Sequence, residues 1–152
     1  MTFDPPAGLP VLARLDEAIA RNGQLYTMRS VGWAPHIDGR VWLVVDAAVA
    51  SPGCPGSASL WEFVFAAADG TIHQPTPQGR RGEFTSYDIP ADGWAGGRVF
   101  FDLPSADVRG GAVGFRQPRF PNRYPEPNRP YGLWPVPWPL PDADGPTGYP
   151  VA

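Results

Sequence analysis

The chain has 152 residues, of which 43% are hydrophobic and 12% aromatic, so its length allows one domain with a substantial core and excludes two full-sized ones. Its formal net charge of -3 removes the electrostatic basis for a nucleic-acid partner. The basic residues are all arginine, a bias that is typical of GC-rich genomes such as those of actinobacteria.

The start of the chain does not resemble a signal peptide. Asp4, Pro5 and Pro6 interrupt any apolar stretch after Met1, and no apolar run in the sequence is long enough to span a membrane. We therefore expect a protein without a membrane span that begins in the cytoplasm. Cys54 has no second cysteine to pair with and no basic neighbour in sequence to activate its thiol, so we interpret it as an incidental loop residue.

Residues 1–23 are predicted to form an N-terminal extension with a short helix. Leu12, Leu15 and Ile19 recur at spacings of three and four residues, which is the period of an amphipathic helix. Asn22 and Gly23 then have the character of residues that end a helix.

From residue 24 the hydrophobic period changes to two, which indicates β-strands. The turn from His36 to Gly39 and the pair Asp69-Gly70 predict hairpins between neighbouring strands. Strands are expected at residues 24–33, 40–50, 60–66, 71–73, 83–88, within 88–104 and at 111–116. About seven short strands at intervals of roughly ten residues predict a β-sandwich.

The segment from Asp88 to Pro104 defines the two faces of the predicted sheets most clearly. After a turn, its residues alternate between inward and outward positions until Pro104 ends the strand. The inward positions are Val99, Phe101 and Leu103, and the outward positions are Arg98, Phe100 and Asp102.

One outward row of the predicted sheets is apolar. It contains Trp42, Val44 and Phe100, and a soluble monomer seldom exposes a patch of this kind. We therefore expect the N-terminal helix or the C-terminal tail to cover these three side chains.

Residues 118–152 form a tail with eleven prolines. Prolines at this spacing exclude a helix and a central strand, so we predict an extended segment, largely polyproline II. The aromatic side chains between the prolines indicate that the tail lies on a surface, which is either that of its own sandwich or that of a protein partner or neighbouring subunit. The predicted partner-binding residues are Tyr131, Trp134, Pro135, Pro137, Trp138 and Pro139.

The order of features after Arg40 resembles a bacterial immunoglobulin-like domain of unknown function, which occurs in extracellular lipoproteins and in a small secreted mycobacterial antigen. The matching residues within 24–117 are Phe63 or Phe65, Asp69-Gly70, Pro90, Gly97, Val99, Phe101, Asp102, Pro104, Val113 and Phe115. The resemblance implies an extracellular setting and no catalytic residues. The expected fold is therefore all-β: an immunoglobulin-like antiparallel β-sandwich of about seven strands over 24–117, with a short N-terminal helix and an extended proline-rich tail.

The titratable residues form no familiar catalytic or metal-binding motif in the sequence, which contains neither His-x-x-x-His, a cysteine pair, nor Gly-x-Ser-x-Gly. A small hydrolase or metal-binding protein built on loop residues stays open as an alternative. Its candidate residues are His36, His73, Asp38, Asp46, Asp69, Asp88 and Asp102. The loop from Gly79 to Gly82, with two arginines, is either a solvated loop or an anion site.

We therefore expect a non-enzymatic protein-binding or assembly module that needs no cofactor or metal. The alternatives are an accessory subunit of a larger complex or virion-type shell, and the small metal-binding protein or hydrolase. The expected partner is a protein or further copies of this chain. The location stays open between the cytoplasm, from the missing signal peptide, and the cell exterior, from the resemblance.

Overall fold

Nearly all of the regular structure is β-strand. The computed structural model describes residues 10–116, 118–119, 124–125 and 130–143. The strands are β1 (Val11–Leu12), β2 (Ala18–Arg21), β3 (Gln24–Pro35), β4 (Arg40–Ser51), β5 (Gly56–Ser59), β6 (Phe63–Ala66), β7 (Ile72–His73), β8 (Ser86–Ile89), β9 (Gly93–Pro104), β10 (Ala112–Phe115), β11 (Pro118–Arg119), β12 (Tyr124–Pro125) and β13 (Gly132–Pro135). Two short 3₁₀ turns span Leu60–Glu62 and Ser105–Asp107.

Two sheets pack face to face, so the predicted β-sandwich is confirmed. Sheet I has the strand order β1-β13-β10-β6-β7, and sheet II has the order β2-β3-β4-β9. The short pairs β5-β8 and β11-β12 lie outside these two sheets. The predicted hairpins are also confirmed, because β3 pairs with β4 and β6 pairs with β7 in antiparallel register.

The core lies between the two sheets and follows the predicted alternation. Sheet II contributes the inward rows of β4 and β9, where Leu43 stands opposite Phe101 and Val45 opposite Val99. Sheet I contributes large aromatic side chains to the same core, which are Phe63, Phe65, Phe115 and Trp134. Each such side chain that leaves water stabilises the fold by about 1.5–3 kcal/mol before its entropy cost.

The predicted N-terminal helix is wrong, because the segment forms β1, a turn and β2. Leu12 is exposed whereas Ile19 is buried, so the apolar residues do not share one face. Asn22 and Gly23 both have positive φ, 50° and 79°, and they form the two-residue turn between β2 and β3. Asn-Gly is the most favourable pair for such a turn, and the strands it joins replace the expected helix.

The prediction that the tail contains no central strand is also wrong. Strand β13 lies inside sheet I, parallel to β1 on one side and antiparallel to β10 on the other. Pro130 and Pro135 bound a run of four residues that all carry a backbone N–H group, which is long enough for a ladder. Strands β1, β2 and β13 therefore lie outside the limits 24–117 that the sequence suggested for the sandwich.

Candidate functional site: a cleft beside the proline-rich tail

A cleft of about 460 Å³ lies between the β3–β4 turn and the tail. The turn forms one wall. Gly39 has a φ of 77°, a conformation that favours glycine, and the turn closes through a hydrogen bond from the Arg40 N–H to the Ile37 carbonyl at 3.0 Å. This closure projects Ile37, which is 57% exposed, at the tip of the wall.

The tail residues Trp138, Pro139 and Leu140 form the opposite wall. Trp138 is 51% exposed, and the guanidinium carbon of Arg109 lies 5.5 Å from its ring centroid, a cation–π arrangement. Trp33 and Val108 also line the cleft. Its size and its mainly apolar walls match the usual character of a ligand-binding pocket.

A cluster of three charged or titratable side chains lies beside the cleft. Arg40 donates from Nε to Oδ1 of Asp102 at 2.6 Å and from an η nitrogen to the Asp102 carbonyl at 3.0 Å. Nε2 of His36 lies 3.1 Å from the same Oδ1, which is within the distance of an ion pair when the ring is protonated. The His36 ring stacks on Trp42 with a centroid distance of 4.4 Å.

Partial burial alone would raise the pKa of Asp102. The hydrogen bond from Arg40 and the proximity of His36 outweigh that effect, so the pKa of Asp102 lies below its usual value. The carboxylate is therefore ionised at neutral pH and holds the base of the β3–β4 turn against β9. This arrangement fixes the wall that carries Ile37.

The six predicted partner-binding residues lie in four different places. Trp134 is fully buried, packs with its ring tilted against that of Phe115 at a centroid distance of 5.8 Å, and donates its indole N–H to the Glu17 carbonyl at 2.8 Å. Tyr131 is half-buried, with the Arg21 guanidinium 4.4 Å from its ring centroid. The remaining four residues are exposed; Trp138 and Pro139 line the cleft, and Pro135 and Pro137 line a separate depression near β1.

Burial of Trp134 removes this residue from the surface that a partner could contact. This side chain belongs to the core of its own sandwich, so it cannot contact a partner while the domain is folded. Of the predicted residues, Trp138 and Pro139 are exposed and line the cleft beside the β3–β4 turn.

The predicted apolar patch is buried. Trp42, Val44 and Phe100 form a second cluster on the outer face of sheet II together with Ala34 and Ala143. Ala143 belongs to the tail, and the tail is held to the edge of β3 by hydrogen bonds from the Trp33 N–H to the Pro141 carbonyl and from the Ala143 N–H to the Trp33 carbonyl.

The other titratable candidates do not gather into one site. His73 contacts Asp107 at 2.9 Å, whereas His36 lies beside Asp102, and Asp69 accepts a hydrogen bond from the Thr71 N–H in its turn. Within the described ranges no three or more His, Cys, Asp or Glu side chains lie close enough together to hold a metal ion. The same ranges contain no helix long and apolar enough to cross a bilayer.

The loop from Gly79 to Gly82 binds an anionic group of the protein itself, the carboxylate of Glu83. The buried carboxylate of Glu83 accepts hydrogen bonds from the Gln78 N–H at 2.7 Å and the Arg80 N–H at 3.1 Å. These amide groups are therefore satisfied by the chain itself, which argues against the anion-site alternative for them.

Sequence comparison alone does not place the chain in a family. No family model matches it, and no curated protein matches it.

Comparison with solved structures finds several proteins with a similar architecture. MPT63, a secreted protein of Mycobacterium tuberculosis, matches with a TM-score of 0.61 at 12% identity, over 85% of this chain and 99% of that one. The yjhA protein of Bacillus subtilis matches with a TM-score of 0.53 at 10% identity, over 68% of this chain and 79% of that one.

The ycdA protein of Bacillus subtilis, which is named as a lipoprotein, matches with a TM-score of 0.56 at 17% identity, over 70% of this chain. The match spans about a third of that longer chain, 35%. The likeness is one of fold. The predicted resemblance to a β-sandwich domain of lipoproteins and of a secreted mycobacterial protein is thus confirmed at that level.

Proposed function

We propose that this protein is a non-enzymatic, immunoglobulin-like binding module, and that the cleft between the β3–β4 turn and the tail receives an extended apolar segment of a protein partner. One observation carries the proposal. Ile37 and Trp138, two large apolar side chains that are each about half exposed, line the same 460 Å³ cleft. Aromatic and proline-lined grooves of this kind suit extended, proline-containing peptides.

The order of strands supports the immunoglobulin-like assignment. Strands β13, β10 and β6 are neighbours in sheet I, and β4 and β9 are neighbours in sheet II. Immunoglobulin-like sandwiches have the same division, with strands C, F and G in one sheet and B and E in the other.

The separation of the two histidines supports a non-enzymatic role. Each histidine lies beside a different carboxylate. Neither pair by itself provides the three groups of a catalytic triad, which are a nucleophile, a base and the group that orients the base. The chain would then act through surface complementarity, with no cofactor.

A location outside the cell is part of the proposal. It is supported by the names of two proteins of the same fold, one secreted and one a lipoprotein. Fractionation of the native host, with antibody detection in the cytosol, the envelope and the medium, tests this point; detection in the cytosol alone would contradict it.

The binding proposal is tested with phage-displayed random dodecapeptides selected on the immobilised full-length protein. We expect the selected peptides to be rich in proline and apolar residues, and to bind Trp138→Ala at least about tenfold more weakly. Trp61→Ala is the matched control, because Trp61 is also about half exposed, at 49%, but does not line the cleft. Equal binding to both variants and the parent protein would overturn the cleft as the binding site.

A further inference from the structure

Among the residues that the structure describes, those that cover the outer face of sheet II lie at one end of it. At the end near Trp42, the tail residue Ala143 packs on it. At the other end, two rows of side chains run across all four strands in register. The first row is Ala20, Leu25, Ala50 and Trp94, and the second is Ala18, Thr27, Ala48 and Gly96.

These two rows form an uncharged face, which we call the alanine face. Its side chains are half-buried or exposed, and Trp94 at its edge is 65% exposed. The Trp94 ring lies along the strand over Gly96, since a Cβ at Gly96 would stand 2.8 Å from a ring carbon. A large indole therefore rests flat on one edge, while small side chains form the opposite edge on β2.

The sizes of the side chains are complementary about a two-fold axis. Consider an axis that runs parallel to the strands midway between β3 and β4, above the face. This axis brings β9 of one copy over β2 of the other, and β4 over β3. Trp94 then lies opposite Ala20, and Leu25 opposite Ala50, so a large residue meets a small one at each position of the first row.

The charges in the next row obey the same symmetry. Going from β2 to β9, the exposed Asp16 precedes β2 and donates its backbone N–H to the Met28 carbonyl. The exposed Arg29 lies in the β3 bulge next to Ser30, which pairs with Asp46 of β4, and Asp46 pairs in register with Arg98 of β9. The signs alternate as negative, positive, negative, positive. Exchange of β2 with β9 and of β3 with β4 places each charge opposite one of the other sign.

We propose that the alanine face, with the charged row beside it, is the interface of a symmetric dimer of this chain. Two sheets packed face to face lie about 10 Å apart with nearly aligned strands, which is the geometry this axis produces. Four strands at about 4.8 Å spacing and three rows along them give a face of roughly 20 by 20 Å on each copy. An interface of that size, about 800 Å² over the two copies, lies below the usual range of stable specific interfaces, so a weak and reversible dimer with a dissociation constant on the order of 10–100 µM or higher is expected.

Sedimentation velocity of the full-length protein, from about 1 to about 500 µM, tests the proposal. We expect a reversible monomer–dimer equilibrium that Trp94→Ala weakens at least about 30-fold, because each interface contains this indole twice. Ala20→Glu is a second variant, which places a carboxylate under the partner's indole and should leave only monomer. Trp61→Ala is the matched control and should dimerise like the parent, since Trp61 is exposed outside this face.

A charge exchange tests the two-fold arrangement itself. Arg29→Asp and Asp46→Arg should each weaken the dimer, because each places like charges opposite one another, and the double variant should restore it. Circular dichroism of each variant at low concentration checks that the monomer is folded.

Three outcomes would overturn the proposal. The first is a monomer at every concentration, which is the result expected if residues 144–152 or another protein cover the face. The second is a dimer that Trp94→Ala and Trp61→Ala affect equally. The third is a double charge variant that is no better than either single one.

Discussion

At the scale of single residues, Glu62 has an unusual environment. Its carboxylate is largely buried and accepts hydrogen bonds from the Tyr26 hydroxyl at 2.7 Å and the Ser59 N–H at 2.6 Å. Burial raises the pKa of Glu62, and the two hydrogen bonds offset only part of that rise. Ser59 and Glu62 form a capping box around the 3₁₀ turn. This Ser-x-x-Glu pattern is typical of a capping box, but the prediction of a continuous strand over 60–66 left it unrecognised.

The raised pKa makes stability depend on pH with a defined sign. Between the ordinary value of 4.5 and its higher folded-state value, the folded protein binds more protons at Glu62 than the unfolded chain does. The free energy of unfolding should therefore contain a term that falls as pH rises through this interval. Urea unfolding at a series of pH values should show that term in the parent protein and its loss in Glu62→Gln.

Tyr26→Phe provides the matching comparison. It removes the donor that favours the ionised carboxylate, so the pKa of Glu62 should rise further and the fall in stability with pH should become larger. A parent protein and Glu62→Gln with parallel pH profiles would contradict this account.

At the scale of elements, the turn at Asn22-Gly23 shows why a local pattern misled. The spacing of Leu12, Leu15 and Ile19 fits a helix, but Ile19 alone of the three is fully buried, and it reaches the core from a strand. Three apolar residues in a short segment are weak evidence when a strong hairpin signal follows them, because long-range pairing of β2 with β3 outweighs a marginal helix.

Gly23→Ala tests the hairpin. Its Cβ would meet no atom within 4 Å, so strain from the φ of 79° is the dominant effect. We expect the free energy of unfolding to fall by about 1–2 kcal/mol, measured by urea denaturation, since an L side chain is unfavourable in this conformation. An unchanged or increased stability would show that the turn is not held in this geometry.

The aromatic residues of the tail predicted that it packs on a surface. In the structure, the tail residue Ala143 lies in one cluster with Trp42, Val44 and Phe100. The register that makes Trp134 part of the core could not be predicted, because the residues that receive it, such as Tyr26 and Phe115, are distant in sequence and no local pattern links them. The alternation within β4 and β9 was predictable, because successive residues of a strand point to opposite faces and each face can be read from the local sequence.

A pair of tryptophan variants separates the core strand from the cleft wall. Trp134→Ala should lower the free energy of unfolding by about 3–5 kcal/mol, because it leaves a cavity beside Phe115 and an unpaired Glu17 carbonyl. Trp138→Ala should cost less than about 1 kcal/mol, because Trp138 is half exposed. Similar losses in the two variants, measured by chemical denaturation, would contradict the placement of β13.

At the scale of the whole molecule, sheet I depends on both ends of the described chain. Within the described residues, β1 pairs with β13 alone, and β13 pairs in turn with β10. A chain that ends after residue 116 should therefore lose its near-ultraviolet circular dichroism, because the core loses Trp134 and two strands lose their partner. A synthetic peptide of residues 130–143, added in trans, should restore the signal; a truncated chain that folds without the peptide would show that β13 is dispensable.

The dependence of β1 on β13 also bears on how the nascent chain matures. When the protein is made on a ribosome, residues 11 and 12 are synthesised before β2 to β10, whereas β13, the strand that receives them, follows all of those strands. Contacts between such distant segments are slow to form, so sheet I should close after sheet II, in which β2, β3 and β4 join through short turns. Until that late step, the aromatic side chains of β6 and β10 are incompletely covered. The partly folded protein therefore exposes apolar surface that a chaperone can bind.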